Sequence, residues 1–175
     1  MFGLPDSTVV LTGGLISTSY VLFSNLGMSQ IGIIPLINGR LGEFHLPARE
    51  RAKAWSLYFK QAAPWTIGPS VVGAGLNFAA AYMTSSPFIR QLAITAGITG
   101  LTIVPYTLTF IHGINLQLHA INNEDKLRDV PESHPHAKQV GQLTTDWEKR
   151  HWVRFVAYGG AFALNLAALL AQQAR

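Results

Sequence analysis

The sequence predicts an all-α fold, a four-helix transmembrane bundle with up-down-up-down topology. Four apolar stretches separated by short charged segments lie at residues 9–37, 62–83, 91–111 and 152–171. Each is long enough to supply the ~20 residues that cross a ~30 Å hydrocarbon core. Backbone polar groups find no water in lipid, so such segments are expected to be helices. Within a single integral membrane domain over residues 1–175, we predict spans at about 9–37, 55–83, 88–119 and 146–172.

The composition favours the same class. Hydrophobic residues make up 49% of the chain and charged residues 13%, about half of the ~25% expected for a soluble domain. The absence of cysteine excludes disulfides, thiolate nucleophiles and thiolate metal ligands. The net charge of +4 is carried by basic residues that border the apolar stretches. It therefore indicates membrane topology rather than a nucleic-acid partner, and the partner we expect is the bilayer.

The distribution of basic residues predicts an orientation. Nine of them lie in the first and third connections, namely Arg40, Arg49, Arg51, Lys53, Lys126, Arg128, Lys138, Lys149 and Arg150. Only Arg90 and Arg175 lie on the other side. The positive-inside rule then places the first and third connections in the cytoplasm and both termini on the opposite side. Residues 1–7 carry no Lys or Arg and precede a long apolar run, so we expect no removable targeting segment.

Turn and cap residues agree with the predicted boundaries of the spans. The first span is expected to end near Pro35, before the turn pair Asn38-Gly39. Ser86 is a candidate N-cap of the third span, with Pro87 at its first position. A Thr145-x-x-Glu148 pattern predicts a capping box at the start of the fourth span. The polar segment 122–143 is predicted to be a cytoplasmic surface loop without helical periodicity.

Proline residues within the spans predict local distortion. Pro64 and Pro69 lie in the second span and Pro105 in the third. Each removes a backbone donor and is expected to kink its helix, releasing a carbonyl. Such kinks can widen a bundle at one end.

Polar and aromatic side chains collect at the predicted cytoplasmic ends of all four spans. His112, Asn115 and His119 follow one another at i, i+3 and i+7, and a second stripe runs through Trp147, His151, Arg154 and Tyr158. Polar groups within spans are costly and usually face a bundle interior or a cavity. We therefore predict a pocket at this end. Its aromatic residues are Trp55, Tyr58, Trp65, Tyr106 and Trp147.

Several of these residues also fit plain structural roles. Trp55, Trp147 and Trp152 are typical of an aromatic belt at the membrane surface. Lys60 is typical of an anchor whose ammonium reaches the interface. The His134-Pro135-His136 segment offers two metal ligands in a polar loop, which is a weak pattern for a metal site. A bundle needs none of His112, Asn115, His151 and Arg154 for packing, which favours a functional pocket for these four.

Three patches resemble the fungal anthrone oxygenases and their bacterial relatives, which are small four-span membrane proteins. The first is Trp55-Ser56-Leu57-Tyr58 with Pro64 shortly after, and the second is Val104-Pro105-Tyr106-Thr107 followed by Asn115-Leu116. The third is Trp147-x-x-x-His151-x-x-Arg154, which is similar to a Trp-x-x-x-polar-x-x-Arg pattern that commonly carries asparagine in the middle. His151 is a departure from that pattern.

The resemblance implies a membrane-bound enzyme of polyketide secondary metabolism that oxidises an anthrone-like phenolic to a quinone with molecular oxygen. It implies neither metal nor flavin, and the sequence has no glycine-rich phosphate loop and no His-x-x-Glu-His box. The substrate would be a small, lipophilic aromatic molecule. His112 or His151 would take a proton, and Arg154 and Asn115 would stabilise an oxyanion. We favour His112, because His151 shares a helical face with Arg154 and a base beside that cation would need more help to accept a proton.

Two other classes stay open at this point. The chain could be a non-enzymatic membrane scaffold or small transporter, since its many glycines suit helix contacts. It could also bind haem through His112 or His119 together with His151. A homo-oligomer is compatible with any of these. For a secondary-metabolism enzyme we expect an endomembrane such as the endoplasmic reticulum.

Overall fold

The computed structural model describes residues 6–174, and every regular element in that range is helical. A π-helical turn, Thr107–Ile111, joins the fifth and sixth helices. The α-helices, in chain order, are α1 Asp6–Gln30, α2 Ile33–Ile37, α3 Ala48–Met83, α4 Pro87–Leu101, α5 Ile103–Tyr106, α6 His112–Asn123 and α7 Pro135–Gln173. The prediction of an all-helical fold is confirmed. Residues 1–5, where no targeting segment was expected, and Arg175 lie outside the described residues.

Three helical segments are long and apolar enough to cross a membrane: Asp6–Ile37, Pro87–Asn123 and Pro135–Gln173. The span predicted at 55–83 lies in α3, which is 36 residues long but is not among these three. Charged residues near its start and Gly, Ser and Asn farther along dilute its hydropathy. The crossing by α3 therefore stays a prediction.

Residues 6–174 divide into two compact units, and three of the long helices contribute to both. The first unit comprises residues up to 24, 65–105 and from 154 onward, and the second comprises 25–64 and 106–153. Pro64 and Pro105 are each the last residue before a boundary between the units.

The helices of the first unit alternate in direction. Leu11 near the start of α1 shares a core with Ala80 and Ala81 near the end of α3, Ile89 near the start of α4, and Leu169 near the end of α7. Neighbours that meet start to end are antiparallel, as the up-down order predicts.

The α3–α4 connection has the predicted cap. The Ser86 hydroxyl accepts a hydrogen bond from the backbone N–H of Ile89, and Pro87 occupies the first helical position. Arg90 donates from Nε to the carbonyl of Ala81 and from Nη2 to that of Thr84, at 3.2 and 3.0 Å. These bonds satisfy carbonyl groups at the end of α3, where a helix leaves them without partners.

The second unit packs around Trp55, which is completely buried. Its core also includes Ile34 and Ile37 of α2, Leu118 of α6 and Val140 of α7. Polar bonds hold the rim of this core.

Two basic side chains tie the segment after α1 to the rest of the second unit. Arg51 donates to the carbonyl of Ile37 at 2.6 Å and to the hydroxyl of Thr144 at 3.2 Å. Burial lowers the pKa of Arg51, and the charge of Glu132 opposes that shift. Arg40 pairs with Glu148.

The first predicted span contains a short break between α1 and α2, where an added Cβ on Gly32 would lie 2.8 Å from Cα of Met28. The two helices together form the apolar segment Asp6–Ile37. One predicted boundary is wrong. The loop predicted at 122–143 is confined to 124–134, because α6 continues to Asn123 and α7 starts at Pro135.

The reason for the early start of α7 is a buried stripe. Ala137, Val140, Thr144 and Trp147 recur at helical spacing and are all buried. Thr145 is thus mid-helix, and its hydroxyl donates to the carbonyl of Gly141 at 2.8 Å instead of capping an end.

Candidate functional site

A buried hydrogen bond between α6 and α7 lies at the centre of the site in the second unit. Nε1 of Trp147 donates to Oδ1 of Asn115 at 3.0 Å, and the two residues are 2% and 4% exposed. An indole has a single donor, so this bond fixes the rotation of the ring.

His151 lies one helical turn beyond Trp147, and its ring stacks on the indole. The ring centroids are 4.7 Å apart and the planes differ by 12°. His151 is 2% exposed. The stack holds an imidazole, the side chain whose ordinary pKa is nearest neutrality, in a fixed orientation away from bulk water.

Trp55 supports this arrangement from α3. Its ring meets Trp147 edge to face, with centroids 6.2 Å apart, and stacks on Phe59 at 5.2 Å. His119 lies on another side, with its centroid 5.1 Å from that of Trp55. Tyr58 packs against the same core and is half-buried. Trp55 is therefore a buried member of a cluster of aromatic rings. A residue of an aromatic belt would instead lie at the membrane surface.

The π-helical turn follows Pro105 by two residues and holds α6 next to α7. The Tyr106 hydroxyl donates to the carbonyl of Arg150 at 3.0 Å, and Nη1 of Arg150 donates in return to the carbonyl of Phe110. A π turn leaves carbonyls available for outside donors, and such turns are frequent at functional sites. Tyr106 is thus half-buried beside the site, with its ring 5.0 Å from that of Phe110.

Arg154 and Tyr158 belong to the first unit and are both buried, at 7% and 3% exposure. Nη2 of Arg154 donates to the Tyr158 hydroxyl at 2.8 Å. This bond is made within α7. In residues 6–174, no carboxylate lies within ion-pair distance of Arg154. A buried cation without an acidic partner suits an anionic or strongly polar ligand.

Two predicted site residues are exposed. His112, the histidine favoured as the base from the sequence, is exposed. The buried residues around it are Ile111 at the end of the π turn and Ile114 and Leu118 of α6, and His112 is turned from Ile111 by about 100° around the helix. Trp65, predicted to bind substrate, is 66% exposed.

Two polar features were not predicted from the sequence. Ser56 Oγ and His119 Nδ1 are hydrogen-bonded at 2.9 Å between α3 and α6. Asn77 and Asn165 are completely buried and both approach Gly14, where an added Cβ would lie 3.1 Å from Oδ1 of the first and 2.8 Å from Nδ2 of the second. Lone asparagines at mid-span are a visible signal in the sequence, but only packing shows that the two converge.

An all-helical membrane protein with a buried histidine, tryptophan and asparagine site is the class that these observations define. The sequence model described as anthrone oxygenase matches residues 55–164, which is more than half of the chain and includes all three motif patches. The chain belongs to the anthrone oxygenase family. No curated protein and no solved structure gave a match.

Proposed function

We propose that this protein is a membrane-bound oxygenase that converts an anthrone-like phenolic to a quinone with O2 and without metal or flavin. The observation that carries the proposal is the buried His151 ring, stacked on a Trp147 that Asn115 holds in place. Membership of the anthrone oxygenase family gives the reaction class. The expected substrate is a flat, lipophilic aromatic molecule that enters from the bilayer.

The substrate supplies most of the reactivity. Loss of one methylene proton from an anthrone leaves an aromatic phenolate, and this anion can pass one electron to O2. The resulting carbon radical and superoxide combine to form a C–O bond, and a proton converts the peroxide to a hydroperoxide. Loss of the second C–H proton with cleavage of the O–O bond gives the new carbonyl and water. One substrate and one O2 thus give one quinone and one H2O.

The protein then needs a base and donors for an oxyanion. His151 is the base in this proposal, because it is buried whereas His112 is exposed. Asn115 uses its Oδ1 for Trp147, and its amide group carries two N–H donors. Asn115 stabilises the phenolate oxygen as charge develops on it, and the resemblance to the family assigns Arg154 the same role.

Aromatic rings complete the proposed site. Tyr58, Tyr106 and Trp147 are the partners expected to stack on the substrate, with Trp55 supporting Trp147 from behind. Stacking of this kind orients a flat molecule without charged contacts.

The test is turnover by purified protein in lipid nanodiscs, treated with a chelator and checked for bound flavin by absorbance. Emodin anthrone and unrelated phenolics are supplied under 18O2. The expected result is O2 uptake equal to product formed, with one 18O atom in the quinone. Loss of turnover on chelation, or a product without 18O, contradicts the proposal.

The alternatives are tested with the same preparation. Haem binding by His119 or His151 would give a Soret band, and Nδ1 of His119 is already bonded to Ser56. A scaffold or transporter would produce no quinone above that formed by empty nanodiscs.

A further inference from the structure

A cavity of about 320 Å³ in the second unit is separate from the aromatic site around Trp147. It is lined by the first third of α3, the end of α6 and the turn that follows α6. Arg49, Lys53 and Lys60 contribute its basic groups, all from one side of α3, and Asp125 contributes its carboxylate. The lining thus carries three positive charges and one negative charge.

The carboxylate is already used. Arg49 donates to Oδ1 of Asp125 from Nε at 3.0 Å and to Oδ2 from Nη2 at 3.1 Å. This bidentate hydrogen bonding and the negative charge of Asp125 raise the pKa of Arg49. Neither Lys53 nor Lys60 has a carboxylate within ion-pair distance in the described part of the chain. Two ammonium groups at the cavity are thus available to an anion.

The other lining residues give the cavity a buried side and an exposed side. Ser56 is 98% buried and its hydroxyl is bonded to Nδ1 of His119. Leu57, between the two lysines in sequence, is 58% exposed. Cations and a hydroxyl therefore lie beside an exposed apolar side chain, at the residues where the second span was predicted to begin. A ligand that matches has an anionic head and an apolar tail.

We propose that this cavity binds the phosphate headgroup of an anionic phospholipid. The ammonium groups of Lys53 and Lys60 contact the phosphate oxygens, and the acyl chains leave past Leu57 into the bilayer. Ammonium-to-phosphate hydrogen bonds are stronger than neutral ones, and basic pockets between membrane helices bind such headgroups. This site does not depend on the oxygenase reaction. A soluble metabolite with a carboxylate or phosphate would match the cationic part of the cavity but not the apolar side chain beside it.

The test compares two variants of the whole protein in detergent with matched charge changes. Lys53→Gln/Lys60→Gln removes the cavity cations, whereas Lys138→Gln/Lys149→Gln removes two exposed lysines on α7 in the same unit. Native mass spectrometry measures the binding of phosphatidylglycerol, phosphatidic acid and phosphatidylcholine. Each lysine near a membrane surface contributes to the free energy of anionic-lipid binding. The cavity variant, which lacks two of them, is therefore expected to bind anionic lipid about thirtyfold more weakly. The control is expected to change it less than threefold.

Three results overturn the proposal. One is equal loss in both variants, which would indicate a diffuse charge effect. Another is equal affinity for phosphatidylcholine, and a third is full displacement of lipid by millimolar inorganic phosphate, which would assign the cavity to a free anion. Neither variant alters the Trp147 site. Circular dichroism and the thermal unfolding temperature of each variant separate loss of lipid binding from unfolding.

Discussion

Trp147 and Asn115 are 32 residues apart in sequence, and the indole N–H of the first donates to the amide oxygen of the second at 3.0 Å. The bond joins α6 to α7 inside the second unit and fixes the indole on which His151 stacks. Removal of this one donor should therefore affect both stability and the orientation of the proposed base.

Trp147→Phe is expected to lower the free energy of unfolding by about 1–2 kcal/mol, because Oδ1 of Asn115 stays buried without its donor. Thermal unfolding in detergent measures this. The control is Trp152→Phe, since Trp152 is 45% exposed. A double-mutant cycle with Asn115→Leu should give a coupling energy of about 0.5–1.5 kcal/mol. If the two substitutions change the free energy of unfolding additively, the hydrogen bond does not contribute to stability.

The two histidines proposed from the sequence should now behave differently. His151→Gln is expected to lower kcat by about 10²–10⁴, the usual cost of losing a positioned base. His112→Gln is expected to leave kcat within twofold, since His112 is exposed. Quinone formation in nanodiscs measures both. If the His112 variant is the impaired one, proton abstraction by His151 is wrong.

Gly14 should tolerate no side chain. A Cβ there would lie 2.8 Å from Nδ2 of Asn165 and 3.1 Å from Oδ1 of Asn77, and both asparagines are completely buried. Gly14→Ala is thus expected to cost about 1–3 kcal/mol of stability through overpacking.

Gly27 is the matched control on the same helix, because an added Cβ would meet nothing within 4 Å. Gly27→Ala is expected to be neutral or to stabilise by up to about 1 kcal/mol, since alanine favours helix. Unfolding in detergent measures both variants. Equal effects would show that the asparagines near Gly14 move aside at no cost.

The orientation is open to a direct test because the chain contains no cysteine. In Lys138→Cys the single thiol is expected to react with a membrane-impermeant maleimide only from the cytoplasmic side, whereas in Arg90→Cys it should react only from the other. The reason is the excess of basic residues in the first and third connections. Labelling of the Lys138 variant from the lumen alone would reverse the topology.

The helical fold and one face of α7 could be predicted from sequence. Helical spacing sets Trp147, His151, Arg154 and Tyr158 on one side, and all four are buried. The same logic is wrong for His112, although His112, Asn115 and His119 also share a stripe. That stripe lies at the edge of the buried face, and small differences in angle separate the buried Asn115 from the exposed His112.

The start of α7 shows a second kind of error. Residues 135–143 are polar enough to be predicted as part of a loop, yet they are helical because Ala137 and Val140 are buried in the core of the second unit. Local composition cannot show this, since the stabilising partners come from α2, α3 and α6.

Apolar runs and charge placement by themselves determined that this is an all-helical membrane protein, because the cost of unsatisfied backbone in lipid leaves few other structures. Motif spacing determined the family. Only tertiary structure decided which polar residues meet: Trp147 with Asn115, Ser56 with His119, and Arg49 with Asp125. Each of these pairs joins elements distant in sequence, so their contacts depend on how helices pack and turn about their axes, which helical periodicity alone does not specify.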